Sequence, residues 1–241
     1  MGKVRLFPII HRDRGAKDTG TTGEAGRCCL AQMADGMEDR GLSGAMVQGA
    51  KHELRPDADL ANTPDERRVP IQHEVEAHLF VDDGLVPNNG KLPLILYRHA
   101  LALEHVPGTA ERALAALFSS NGWRGAWVDG IYDFHHYHST AHEVLGIAQG
   151  SAKVQLGGPQ GLLVELEAGD AVAIPAGVGH CLIAGDDLVV VGAYPEGQDW
   201  DLCRATESDR LKALENIPWV PLPKLDPVFG PDGPVLARWV D

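Results

Sequence analysis

The sequence is short of several things, and each shortage closes off a class of function. Long apolar runs are missing: stretches such as "VQLGGPQGLLVELEAGDAVAIPAGVG" are cut by Gly, Pro and charge before they reach the roughly 18–20 apolar residues of a spanning helix, so a helical membrane protein is excluded. The opening "MGKVRLFPIIHRDRG" holds five apolar or neutral residues between charges, fewer than the roughly 7–15 of a secretory core segment, and no export signal is expected. Cysteine is limited to four, at positions 28, 29, 181 and 203, with no C-x-x-C pair. That spacing speaks against a zinc ribbon or a redox dithiol and for free thiols in a reducing cytoplasm. Basic residues are outnumbered, 21 against 34 acidic, giving a net charge of −13. With no cluster of Lys and Arg interleaved with aromatics, nucleic acid is an unlikely partner on electrostatic grounds.

Aromatic residues are scarce in one part only. Of the five Phe, five Trp and four Tyr, Phe7 alone precedes Phe80. All four Met (1, 33, 37 and 46) lie in that first stretch, where 11 basic and 11 acidic residues of positions 1–70 cancel, so the whole −13 belongs to positions 71–241. A segment such as "DRGAKDTGTTGEAGR" cannot bury enough surface to offset about 1–2 kcal/mol of backbone ordering per residue. Residues 1–73 are therefore expected to form a polar, disordered extension, either a passive arm or a docking tail, ahead of one domain at 74–241.

From there on the chain reads as β structure. "HLFVDDGLVPNNGKLPLILYRHAL" carries Asp-Gly and Asn-Gly turns between short apolar runs. "GTAERALAALFSSNG" predicts a helix capped by Thr109 and stopped at Asn121-Gly122. From Trp123 to about residue 195, β-prone runs of 5 to 9 residues alternate with glycine, which predicts a sandwich or barrel. "TESDRLKALENI" predicts a second helix, with Thr206 and Asp209 at capping-box spacing. The proline-rich tail "PWVPLPKLDPVFGPDGPVLARW" is expected to lie extended against the barrel.

What is abundant is histidine, in one place. "GIYDFHHYHSTAHEVLGIAQG", residues 130–150, sets His135, His136, His138, His142 and Glu143 within nine positions. On a strand His136 and His138 point the same way, with Phe134 and Tyr132 continuing that face as pocket wall. After the turn, Glu143 shares a face with Leu145 and Ile147. A third imidazole is available from "GDAVAIPAGVGHCLIAG", where Pro175 and Gly177 bend the chain and His180 opens a strand. Three His and one Glu suit a divalent transition metal: Fe, Mn, Co, Ni, Cu or Zn. His135 and His142 have the opposite parity and read as outward or supporting residues, with His142 a candidate to orient a ligand or shuttle a proton. His11, His52, His73, His78, His99 and His105 have no constellation. Trp123 and Trp127 read as core. Arg124 and Lys153 read as solvated strand charges that could otherwise balance an anionic substrate, and Cys181 as packing.

The spacing Gly130-x5-His136-x-His138-x4-Glu143-x6-Gly150, followed after 18 residues by Gly169-x5-Pro175-x-Gly177-x2-His180, resembles the two signatures of the cupin superfamily. The second signature usually ends in Asn where this chain has Ala184, a position that is not a ligand. The longer stretch from residue 76 to 241 looks like a bacterial family of single-barrel cupins. The resemblance implies a mainly β protein: an antiparallel jelly-roll barrel with two or three short helices, a barrel core at about 123–195, and a metal bound inside by His136, His138, Glu143 and His180. It implies a small-molecule ligand or substrate and, by analogy, a homodimer. Oxygenase, isomerase and decarboxylase chemistry all run on this scaffold, so the fold alone does not choose among them. Binding or sensing without turnover is the alternative.

Overall fold

The computed structural model describes residues 74–240, together with two backbone segments further upstream. Those segments are β1 (Arg5–Leu6) and β2 (His52–Glu53), which pair with the sheet. The remainder of the extension expected to be disordered lies outside the described residues.

The strands that follow are β3 (Val75–Phe80), β4 (Asn89–Tyr97), β5 (Trp123–Asp129), β6 (His136–Tyr137), β7 (Glu143–Leu156), β8 (Leu162–Glu167), β9 (Ala171–Ile174), β10 (His180–Pro195) and β11 (Cys203–Arg204). They form one mostly antiparallel sheet, in the order β1-β3-β4-β9-β7-β10-β5-β2, with β8 beside β7 and the short β6 joining β10 to β11. The sheet curls into the expected cupin barrel. Strands β7 and β10 are each longer than glycine spacing suggests: "EVLGIAQG" and "AKVQLGG" are one 14-residue strand, "HCLIAGDD" and "LVVVGAY" one of 16. Gly150 is a bend inside β7, not its end. It takes φ +73° with the backbone of Asp186 so near that a Cβ would lie 2.1 Å from its carbonyl oxygen, opposite the bulge at Asp186–Val189. A bulge on the partner and a glycine here let the pair turn a corner without breaking the ladder.

Side-chain alternation gives the sheet two apolar faces. Leu94 and Leu96, Leu145 and Ile147, Val172 and Ile174, and Val190 and Tyr194 point into the barrel. Ile95 and Tyr97, Val144 and Ala148, Ala171 and Ala173, and Val191 and Ala193 point outward, under α1 (Ala110–Ser120) and the C-terminal tail. Helix α1 is capped as its sequence predicts: the Thr109 side chain accepts from the Arg112 N–H, and Asn121 ends it before Gly122 at φ +77°. It buries Leu114 and Phe118, one turn apart on one face. In α2 (Glu207–Asn216) only half of the capping box forms: Thr206 accepts from the Asp209 N–H, but the Asp209 carboxylate reaches past it to the Arg204 N–H.

The tail is more ordered than its prolines suggest. Pro234 occupies the first turn of α3 (Pro234–Arg238), where a missing N–H costs nothing. Its anchor is Asp226, fully buried, whose carboxylate accepts from the Tyr97 hydroxyl at 2.7 Å and from the N–H groups of Val228, Phe229 and Val235 at 2.8–2.9 Å. Asp226→Ala removes the acceptor these four donors share in a buried layer. The expected loss is about 3 kcal/mol, or roughly 6–12 °C in Tm for a chain of this size. Thermal unfolding followed by circular dichroism measures it; an unchanged Tm contradicts the anchoring role.

Candidate metal centre

The four residues picked out by spacing meet inside the barrel. β6 pairs with the start of β10 so that His136 lies directly opposite His180, and their ring centroids are 4.0 Å apart. His138 continues past β6 with the same facing, its centroid 5.9 Å from both other rings. One ring nitrogen from each of the three imidazoles lies within 4.8 Å of the other two. Glu143, the first residue of β7, brings Oε2 to 3.3 Å from Nε2 of both His138 and His180. All four side chains are buried, 2–4% exposed. The turn that delivers His180 is the one expected: the Val178 N–H bonds to the Pro175 carbonyl and the Gly177 N–H to the His138 carbonyl.

The tautomers follow from the backbone. Nδ1 of His136 faces the Phe134 carbonyl at 3.1 Å, Nδ1 of His138 faces the Asp201 carbonyl, and Nδ1 of His180 faces the Val178 carbonyl at 3.4 Å. A carbonyl only accepts, so each Nδ1 carries the proton and each Nε2 turns a bare lone pair inward. Two of those nitrogens, Nε2 of His138 and of His180, face a carboxylate oxygen, Glu143 Oε2, at 3.3 Å. Lone pairs of neutral rings crowded against a buried carboxylate repel unless a cation lies between them. Protonation does not supply that cation at His136, whose pKa burial and, secondarily, the neighbouring His180 and His138 lower to about 2. Burial alone would raise the Glu143 carboxyl, but its contacts with His138 and His180 outweigh it and hold the group well below the usual carboxylate range. The donor set fits one divalent ion of the imidazole- and carboxylate-loving kind. The cavity these residues line with Trp127, Ile131, Tyr132 and Leu145 measures about 10 Å³, close to one water-sized sphere.

The other singled-out residues sort differently. Tyr132 lines the cavity, stacked on Phe134 at 4.9 Å, with both rings against His136. Phe134 in turn lies under the Arg204 guanidinium, 4.1 Å away. Trp123 is core, as read, but Trp127 is also cavity wall. Lys153 pairs with Glu165 on β8, and Cys181 is buried packing. Ala184 sits exposed beside a bulge, so the missing Asn touches none of this. His142 is buried on the outer face, its ring 4.6 Å from Trp239, its Nδ1 accepting from the Ala176 N–H. It neither orients a ligand nor reaches the cavity. His135 also stays out of the ligand cluster.

Two residues of the site escape sequence reasoning. Asp201 supplies the carbonyl that fixes His138, and its carboxylate takes the Ser139 and Thr140 N–H groups, the Ser139 hydroxyl and the Cys203 thiol. Tyr194 accepts from Trp127 Nε1 at 3.0 Å and hydrogen-bonds to Glu143. Indole only donates, so the Tyr194 proton goes to the Glu143 carboxylate.

A family model described as a cupin domain matches residues 129–191. The fold, the barrel and the buried histidine cluster define the class: the chain belongs to the cupin superfamily. Within it, the chain is kin to YjlB of Bacillus subtilis (strain 168), an uncharacterized protein, with 38% identity over 171 residues, 70% of this chain and 99% of the relative. Among solved structures, acireductone dioxygenase from Bacillus anthracis, with a cadmium ion in its active centre, is 19% identical with a TM-score of 0.30, covering 54% of this chain and 82% of that one. The 11S globulin from Wrightia tinctoria is 16% identical with a TM-score of 0.27 over 33% of this chain, which spans only 22% of the globulin.

His142 gives a clean pH test, being no part of the ligand cluster. Burial lowers its pKa from 6.5 to about 3. A histidine depressed in the fold takes up its proton more readily when unfolded, so its contribution to stability is whole above about pH 6.5 and shrinks as pH falls toward 3. Urea midpoints measured from pH 7 to pH 4 should fall, and fall less steeply in His142→Asn; equal slopes in the two proteins contradict this.

Proposed function

We propose that His136, His138, His180 and Glu143 hold one divalent transition metal, and that the protein binds or transforms a small molecule beside it. The observation that carries this reading is the clustering of three buried imidazole nitrogens within 4.8 Å of one another, with a buried carboxylate oxygen 3.3 Å from Nε2 of two of them. A bound metal of this kind supplies Lewis acidity, an activated water or, for a redox-active ion, dioxygen chemistry. The chain's own residues orient and dry the site. Main-chain carbonyls fix the three rings, Tyr194 and Trp127 fix Glu143, and the stacked Tyr132 and Phe134 wall off His136. Turnover by this scaffold would be oxygenase, isomerase or decarboxylase chemistry.

A second reading, binding or sensing without turnover, is favoured by the cavity lining. Beyond the four proposed ligands, its described residues offer Tyr132 as the one titratable group, and a general acid or base is the usual companion of a catalytic metal. Free Cys181 and Cys203 accord with a reducing cytoplasm, and among the described residues no helix is long and apolar enough to cross a membrane. A homodimer is our expectation by analogy.

Elemental analysis of protein purified without chelators should find about one transition-metal equivalent per chain, and His136→Ala/His138→Ala should lose it. Because imidazole must shed its proton to ligate, metal should also leave as pH falls below about 6. Full occupancy in the double variant contradicts the ligand assignment. Dioxygen consumption, or turnover of candidate metabolites by the loaded protein, separates the two readings.

A further inference from the structure

A cavity of about 10 Å³ holds an ion or a water but no metabolite, so the small molecule of the proposed function needs a second space next to it. That space is at the barrel mouth: a pocket of about 410 Å³ between the start of β5 and the loop after β10, within the size range of small-molecule sites. Trp127 lines both spaces. Tyr194, hydrogen-bonded to Trp127 and to Glu143, stands between them. Trp200 lies nearly parallel to the Tyr194 ring, 15° and 5.9 Å away, and touches His138 edge-on at 5.5 Å.

What this pocket offers a ligand is ring surface. Gln198 bonds the His142 N–H and the Pro221 carbonyl, and the Arg124 guanidinium donates to Ser119 Oγ at 2.8 Å and lies 3.8 Å from Glu196. The two charged lining residues, Arg124 and Asp199, are opposite in sign, so the lining carries no net positive charge to hold an anion. Trp200 is 39% exposed, so indole surface is available for stacking.

We infer that the mouth pocket formed by Trp200, Tyr194 and Trp127 binds an uncharged planar aromatic molecule, stacked on Trp200 and divided from the metal cavity by the Trp127–Tyr194 pair. This builds on the proposed metal site in naming its ligand, but occupancy of the pocket is measured without the metal. Isothermal titration with indole as the probe should show binding to the full-length protein, and benzoate should bind more weakly. Trp200→Ala should weaken indole about tenfold or more, Trp200→Phe should recover most of the affinity, and Trp219→Ala, removing an indole 85% exposed elsewhere, should leave it unchanged. Protein stripped of metal by chelator should still bind indole, which keeps failure of the metal assignment distinct from failure of this one. Equal indole affinity in Trp200→Ala and the parent protein, a benzoate preference, or no binding by a parent protein with intact thermal unfolding overturns the proposal.

Discussion

Closing a carboxylate and three imidazoles inside an apolar barrel is the most demanding thing this fold does, because each unpaired polar atom held there costs roughly 1–3 kcal/mol or more. Much of the surrounding structure answers that demand. Each ring commits Nδ1–H to a main-chain carbonyl, and the three carbonyls come from separate places: Phe134 just before β6, Val178 in the turn before β10, and Asp201 beyond the end of β10. A ring flip would orphan both the carbonyl and the Nδ1 proton. The inward direction of the lone pairs is therefore set by backbone path.

The least obvious of those supports is Asp201. Its carboxylate gathers the turn "Ser139-Thr140" and the Cys203 thiol, and Asn216 of α2 donates to the same Ser139 hydroxyl. Burial pushes the Asp201 carboxyl up, but the Ser139 donors outweigh it and leave it low, so it stays an ionised acceptor across ordinary pH. The same proximity pushes the Cys203 thiol up to about 12, with burial the larger cause, and makes it a donor, not a nucleophile. Helix α2, through Asn216, thus braces the turn that follows His138.

The four candidate residues were legible because strand parity is a local rule. His136 and His138 are two residues apart, Glu143 shares the parity of Leu145 and Ile147, and Pro175 and Gly177 announce the bend before His180. What supports them was not legible, for two physical reasons. Asp201 lies 63 residues beyond His138, and no periodicity links them. Tyr194 belongs to β10, where register shifts between 182 and 184, 186 and 189, 189 and 190, and 192 and 194 break the parity count from His180, so its inward facing could not be extrapolated. Glycine misled in the same region: at Gly150 it bends a continuous strand instead of ending it. The prolines of the tail did likewise, because Pro234 sits where a helix accepts one. The outer core under α1 was foreseeable from the spacing of Leu114 and Phe118, whereas its seal by Asp226 rests on contacts that span more than 100 residues.

The Tyr194 hydroxyl joins the two compartments of the barrel through a single chain of hydrogen bonds. Trp127 can only donate, so it fixes the tyrosine oxygen as acceptor and sends the tyrosine proton to the Glu143 carboxylate, whose Oε2 faces His138 and His180. Burial, and then the charge of Glu143, raise the Tyr194 pKa, so the hydroxyl keeps its proton and the chain keeps its direction. A Glu143 carboxylate without that donor would carry its charge at greater cost in a dry, low-dielectric space, so the partition between the two spaces also supports the buried charge.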